Sequence, residues 1–213
     1  MRALEHEPWR AIPGLRHGFL LGRVEPPCPV SLPRQVHGVH VLTADPNGER
    51  PEADGLVTTA ASSSVGVVTA DCVPMLMVAP HRRVVAAVHA GWRGAAAGIV
   101  GTALAHLRDQ FDVEPRDVEV ALGPAIGPCC YEVGPEVREA FRATSGETTA
   151  AAWRRRHDRD VLDLRRAVRA LLEANGVERV TLIGPCTKCS PDFCSYRRDG
   201  ADAGRQVSFI GWT

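Results

Sequence analysis

Three residues in the first half of the chain pair metal-binding with nucleophilic chemistry at the ends of apolar runs: His37 in "QVHG", Cys72 in "TADCVP" and His89 in "VVAAVHAG". Strand ends on one edge of a sheet can converge, so residues this far apart can share a site. Two imidazoles and one thiolate suit borderline-soft Zn²⁺, and three protein ligands leave its fourth position open for water or substrate. A metal held this way lowers the pKa of a bound water toward about 7. The same trio suits a nucleophile pair, with Cys72 as thiolate and His37 or His89 as base. Against both readings stands the ordinary fate of such residues, a core thiol after a strand and a hydrogen-bonded imidazole. The chain has no H-E-x-x-H and no pair of C-x-x-C motifs, so the case rests on convergence in space.

Other residues offer weaker signals. "CTKC" sets Cys186 and Cys189 at a spacing that fits half of a structural zinc site or a redox pair, and Cys194 and the Cys129-Cys130 pair can be brought in by folding. Without a second C-x-x-C, reduced loop thiols are the simpler reading, and a vicinal Cys129-Cys130 disulfide is too strained to be routine. Arg197 and Arg198 in "SYRRDG", and Arg93 after Trp92, are candidate forks for phosphate or carboxylate. Gly91 and Gly94 beside a helix start offer an anion site there. Asp71, next to Cys72, is a candidate partner for a metal-bound His or a turn cap.

The elements that must position these residues are legible as patterns. "HGFLLGRV" reads as a strand, and "QVHGVHVLTA" as another from about Val36 to Leu42. "DPNGERPEADG" is turn chemistry. "GLVTT", "SSVGVVTA", "VPMLMVAP" and "RVVAAVHA" are β-rich, the last two joined hairpin-fashion through Pro80-His81-Arg82-Arg83. The period then becomes helical over "GAAAGIVGTALAHLRDQF", where Gly98 and Gly101 are expected at close-packing positions. "VEVALGP" and "RVTLIG" read as strands, and "GPEVREAFRAT" as a short helix with Pro in its first turn. "SGETTAAAWRRRHDRD" reads as a mobile surface segment. "VLDLRRAVRALLEANGV" is an amphipathic helix stopping at Asn175-Gly176. A long loop, "PCTKCSPDFCSYRRDGADAG", leads to a closing strand, "RQVSFIGW".

This order of elements predicts an α/β fold with mixed sheets in a single domain over residues 1–213. Apolar residues make up 45 % of the chain, enough for a large core, and the formal net charge of zero argues against nucleic-acid or anionic-membrane partners. No run approaches the roughly 20 apolar residues of a membrane span. The start shows no secretory h-region, so the expected location is the cytoplasm, and the seven Cys are expected as free thiols.

The blocks "QVHG", "ADGLVTT", "TADCVP", "VHAGWRG", "ALGPAIGPCCYEVG" and "CTKC…FCSYRRD", in this order, resemble the multicopper polyphenol oxidase or laccase-domain family, also called the YfiH or peptidoglycan editing factor family. The resemblance runs from about Leu32 to the C-terminus. It implies two mixed β-sheets packed between helical layers, an αββα-like sandwich. It implies a metal site of His37, Cys72 and His89 holding zinc, with copper as the alternative. A laccase needs several copper sites with H-x-H pairs, and this chain has eight His and no H-x-H. The resemblance further implies a purine nucleoside phosphorylase with adenosine deaminase activity. Its substrates would be adenosine, inosine or methylthioadenosine, with Cys72, His89 and Arg93 as catalytic residues. Arg93, Arg197 and Arg198 are then the candidates for phosphate. The partners would be nucleoside and phosphate alone, bound by a monomer. The alternatives are a cysteine hydrolase or editing factor acting on peptidoglycan precursors. One departure from the family pattern stands out: the stretch between "HGFLLGRV" and "QVHG" is short, which implies a missing or rebuilt pocket wall.

Overall fold

The computed structural model describes residues 3–45, 48 and 50–213. Part of the turn reading over 45–55 falls on residues 46, 47 and 49, and the first two residues of the chain are likewise outside the described set. The elements begin with strands β1 (Ala3–Leu4), β2 (Leu15–Leu20), β3 (Val41–Thr43), β4 (Gly55–Thr58), β5 (Ser63–Thr69), β6 (Val73–Ala79) and β7 (Val84–Ala90). Helices α1 (Trp92–Ala97) and α2 (Ile99–Phe111) follow, then β8 (Glu119–Leu122), β9 (Glu132–Val133) and α3 (Pro135–Ser145). The chain ends with β10 (Trp153–Arg156), β11 (Arg159–Leu162), α4 (Leu164–Ala174), β12 (Arg179–Leu182), α5 (Tyr196–Asp199) and β13 (Gln206–Trp212).

Among the described residues the largest sheet has six strands in the order β12-β8-β6-β7-β4-β3, parallel at β12/β8 and β4/β3 and antiparallel between. A four-stranded antiparallel sheet, β1-β2-β13-β5, stacks on it, and β10-β11-β9 forms a small third sheet. Alternation divides the core in two. Met75, Met77, Val84, Ala86 and Val88 face the helices, against Ile99, Val100, Phe141, Leu164 and Val168. Leu56, Leu76, Val78, Val85 and Ala87 face the other sheet, against Phe19, Val65, Val67, Ile210 and Trp212. Burial on both faces explains why β6 and β7 read as continuous apolar runs.

The α/β class and the stacked sheets are as expected. Helices α1 to α4 all contribute to the core on the large sheet. Over the far face of β5 lies the loop through Val30 and Leu32 rather than a second helical layer there. Gly66 leaves room for it, since a Cβ at that position would sit 2.7 Å from Val30 Cγ1.

Three local readings are corrected. The strand expected from Val36 begins at Val41, and His37 instead sits in a turn at φ 60°. The segment read as mobile is ordered: a 3₁₀ turn (Gly146–Ala152) buries Thr149 and Ala152 and packs on α4, and β10 and β11 make a hairpin. Its run of arginines hid the alternation. The single helix expected over 94–111 is broken at Gly98, where φ is 100°, and a Cβ at Gly98 or Gly101 would meet nothing within 4 Å. Gly98 is there for its backbone conformation, not for close packing.

That distinction gives opposite signs to two glycine substitutions. Gly98→Ala should lose about 1–2 kcal/mol through the left-handed conformation. Gly101→Ala, inside α2 with open space around it, should gain about 0.5–1 kcal/mol. Urea unfolding of the two variants measures both; equal losses would restore the packing explanation.

Candidate metal and catalytic site

The register of the large sheet assembles the site. In the β6/β7 pair Val73 lies opposite Ala90 and Pro74 opposite His89, so Cys72, one residue before β6, reaches the same sheet end as His89. In the β4/β7 pair Gly55 lies opposite Val88, which sets Asp54 beside His89. By alternation Asp54 and Leu56, and Val85, Ala87 and His89, point to one face.

His37 arrives from a loop, and two side chains hold that loop. Gln35 pairs with β5 like an added strand: its Nε2 donates to the Val68 carbonyl and its Oε1 accepts the Val68 N–H, both at 2.8 Å. The buried Asp54 carboxylate accepts the backbone N–H groups of Val36 (3.3 Å), His37 (3.0 Å) and Gly38 (2.7 Å). These bonds offset the cost, about 1–3 kcal/mol, of the left-handed backbone at His37.

Asp54 also lies 2.8 Å from His89 Nδ1. A carboxylate only accepts, so Nδ1 carries a proton and Nε2 is turned toward the other ligands. The His37 and His89 rings stand edge to face, with centroids 4.8 Å apart. The donor atoms of His37, Cys72 and His89 all lie within 4.8 Å of one another. Gly91 makes space between them: a Cβ there would sit 3.1 Å from Cys72 Sγ and 3.2 Å from His37 Cδ2. At Gly94 a Cβ would sit 2.8 Å from the Gly38 carbonyl, so α1 can approach the loop closely. The expected trio therefore assembles, and its donors fit one borderline-soft ion.

The electrostatics reinforce the arrangement. Burial alone pushes the Cys72 thiol up, but hydrogen bonds and charge from His37 and His89 outweigh it and hold the thiol at about 6. Burial alone would lower His89, but Asp54 and Cys72 raise it to about 9. Without metal, Cys72 and His89 therefore form a thiolate–imidazolium pair at neutral pH. A metal ion held by this trio would compete with the His89 Nε2 proton.

The trio opens onto a cavity of about 370 Å³ lined by His37, Cys72, Trp92, Arg93, Ile126, Tyr131, Leu164, Tyr196, Arg197 and Arg205, among others. Arg93 stacks over Trp92 at 4.5 Å, and Arg197 over Tyr131 at 5.3 Å. Burial and the Cys72 charge push the Tyr131 phenol up to about 12, so it stays protonated and can donate. No residue between Leu21 and Val36 lines the cavity; beyond the donor trio and the Ala70–Asp71 segment, its walls come from α1, from Ile126 and Tyr131 after β8, from Leu164 of α4, and from α5 with Arg205 after it.

Two expected roles are not borne out by position. Arg198 does not line the cavity: its guanidinium donates to Asp199 and to the carbonyls of Thr187, Lys188, Ser190 and Phe193, clamping the loop. Asp71 does not meet a histidine; it accepts the Thr187 hydroxyl at 2.6 Å and the Arg197 N–H at 2.8 Å, tying the C-terminal loop to the site. Conversely, sequence reasoning missed Asp54, Tyr131 and Arg205. Asp54 stands in "EADG", where turn chemistry is the obvious reading.

A family model described as multi-copper polyphenol oxidoreductase laccase matches residues 21–213. The chain belongs to this family. It is 38 % identical over 197 residues to the purine nucleoside phosphorylase YlmD of Geobacillus stearothermophilus, covering 84 % of this chain and 72 % of the relative. To the purine nucleoside phosphorylase YfiH of Escherichia coli it is 39 % identical over 179 residues, covering 83 % and 71 %. The crystal structure of the Bacillus licheniformis hypothetical protein YfiH superposes with a TM-score of 0.89 at 26 % identity, covering 100 % of this chain and 97 % of that one. In this laccase-family chain among the described residues, no helix is long and apolar enough to cross a membrane.

The charge pair makes a pH prediction for the metal-stripped protein. Stability from the lowered Cys72 is present above its ordinary value of 9.0 and is lost as pH falls through about 6. Stability from the raised His89 is present below 6.5 and is lost as pH rises through about 9. Alkylation of Cys72, followed by peptide mass spectrometry, should accordingly have its midpoint near 6. Asp54→Asn should move that midpoint upward, because the imidazolium loses its counter-charge, and should weaken metal affinity about 10- to 100-fold. An unchanged midpoint would remove Asp54 from the network.

Proposed function

We propose that the protein is a zinc-dependent purine nucleoside phosphorylase with adenosine deaminase activity, acting on adenosine, inosine or methylthioadenosine. The observation that carries this reading is the cavity itself. One wall holds the His37, Cys72 and His89 donors, aromatic rings of Trp92, Tyr131 and Tyr196 line it, and Arg93, Arg197 and Arg205 supply positive charge. Aromatic faces suit a purine, and guanidinium forks suit phosphate. The names of the relatives point the same way. Two imidazoles and one thiolate, with a fourth position left open, favour zinc. The second cluster of candidate ligands is all cysteine, so the laccase label finds no set of histidine-rich copper sites among the described residues.

When bound, zinc supplies a Lewis acid and activates water at neutral pH. The chain's own residues do the rest. Arg93, Arg197 and Arg205 hold the phosphate against the anomeric carbon, and the aromatic side chains orient the base and exclude water. In phosphorolysis a phosphate oxygen bonds to C1′ as the C1′–N9 bond breaks. The bonding pair leaves with the purine, and the phosphate's proton ends on the base. Tyr131 stays protonated beside the trio and donates to a polar substrate atom. In deamination water replaces the 6-amino group and ammonia departs. On this reading the enzyme works as a cytoplasmic monomer on small molecules, without nucleic-acid or membrane partners.

A second reading has one specific observation in its favour. The Cys72 thiolate paired with His89 is the arrangement of a cysteine nucleophile, which suits a hydrolase acting on peptidoglycan precursors.

Adenosine incubated with metal-defined protein, with and without phosphate, tests the two together. Phosphate-dependent adenine is expected, with inosine from the deaminase activity, and both should vanish in Cys72→Ala. Arg93→Ala and Arg197→Ala should each raise the KM for phosphate about 10- to 100-fold, the worth of one charged hydrogen bond. Neither product from zinc-loaded protein would sink the nucleoside reading. Turnover of a cell-wall precursor that survives chelation but not thiol alkylation would put the hydrolase in its place.

A further inference from the structure

Four of the seven cysteines have no part in the site above. Cys129 and Cys130 lie between β8 and β9, and Cys186 and Cys189 between β12 and α5. The fold joins the two loops. Ala125 and Cys186 form a parallel bridge, and the Thr187 N–H donates to the Ala125 carbonyl at 3.1 Å. The four sulfurs lie within 4.8 Å of one another. Cys189 Sγ is 3.3 Å from Cys130 Sγ and 3.6 Å from Cys129 Sγ. All four thiols are free. A disulfide needs about 2.05 Å. Tetrahedral coordination with metal–sulfur bonds of about 2.3 Å sets sulfurs roughly 3.8 Å apart, close to the separations seen.

The surroundings are built for this grouping. The Gly127 N–H donates to Cys186 Sγ at 3.1 Å, and the amides of Lys188 and Cys189 also point at that sulfur. The Gly127 bond is an outer contact of the kind that orients a metal thiolate. A Cβ at Gly127 would sit 3.1 Å from Cys186 Cβ and 3.4 Å from Cys129 Sγ, so glycine is what lets the loops meet. Arg198 clamps the second loop through its carbonyls, and Arg156 Nη1 donates to the Cys129 carbonyl at 3.2 Å.

We propose that Cys129, Cys130, Cys186 and Cys189 bind a second metal ion, a structural zinc. Four thiolates close its coordination shell and leave no position for substrate. Its role is mechanical. One loop carries Ile126 and Tyr131 of the cavity wall, and the other carries Thr187, which bonds Asp71 beside Cys72. The ion fastens these two loops together.

Metal counting on wild-type protein, purified under reducing conditions with zinc supplied, should give two ions per chain. The double variant Cys186→Ser/Cys189→Ser should keep one and melt at a lower temperature. Cys72→Ala should keep the other, and when reloaded with cobalt it should show the intense sulfur-to-metal absorption of four thiolates. That spectrum needs no change in the cluster itself. A single ion per chain that the double variant retains would overturn the proposal. So would a disulfide between the two loops in the reduced preparation, or iron with inorganic sulfide in place of zinc. A single ion kept by Cys72→Ala but lost from the double variant would uphold this site and remove the His37, Cys72 and His89 site instead.

Discussion

The buried carboxylate of Asp54 holds the site together. An unpaired carboxylate out of water costs several kcal/mol, so it is retained only where donors surround it. Here three backbone N–H groups from Val36 to Gly38 and the His89 imidazole do so. Their combined effect outweighs burial and keeps Asp54 ionised below the usual carboxylate range. Three consequences follow from one charge. The loop carrying His37 is fixed in its left-handed turn. The His89 ring is fixed in one tautomer. Through His89, the Cys72 thiol is held as a thiolate. The Asp54 carbonyl in turn accepts the His89 N–H at 2.7 Å, so the ligand geometry is part of the sheet's own hydrogen bonding. A register slip of one residue between β4 and β7 would turn Asp54 away from the imidazole.

The cavity divides its parts between rigid and adaptable structure. The donors come from the end of β7, the residue before β6 and a doubly anchored loop. The cationic and aromatic groups come from α1, the loop after β8, α5 and the segment that follows it. Metal ligands need to be held to a fraction of an ångström, whereas substrate contacts tolerate adjustment. Asp71 links the two sets, and Arg198 braces the C-terminal segment from within. Neither meets the cavity through the chemistry its type suggests; each instead holds backbone in place.

Composition separates the two groups of candidate ligands. Two imidazoles and one thiolate leave an ion room for a further ligand, and they face a cavity. Four thiolates leave none, and they lie where two loops cross. One type of residue thus stands at a cavity in one place and at a loop crossing in the other.

Much of this was legible in the residues themselves. The apolar runs of β6 and β7 and their Pro80–Arg83 turn follow from side-chain type alone. So do α4 and its Asn175-Gly176 stop, because hydrophobic period and turn chemistry are local properties. Cys72 and His89 stood out because a polar residue at the end of a buried strand needs a partner. His37 stood out too, but on a strand that the structure replaces with a turn. What no local pattern carried was the identity of the partners. Asp54 reads as turn chemistry until strand register sets it against His89. Nothing local in "QVHG" marks Gln35 as the partner of Val68, and "CTKC" reads as half a motif until a bridge at Ala125 brings Cys129 and Cys130 to it. Sequence determined which faces are buried and which residue types stand at their edges. Only the tertiary structure decided which distant groups meet, because strand pairing and loop crossing are set by the packing of the whole core.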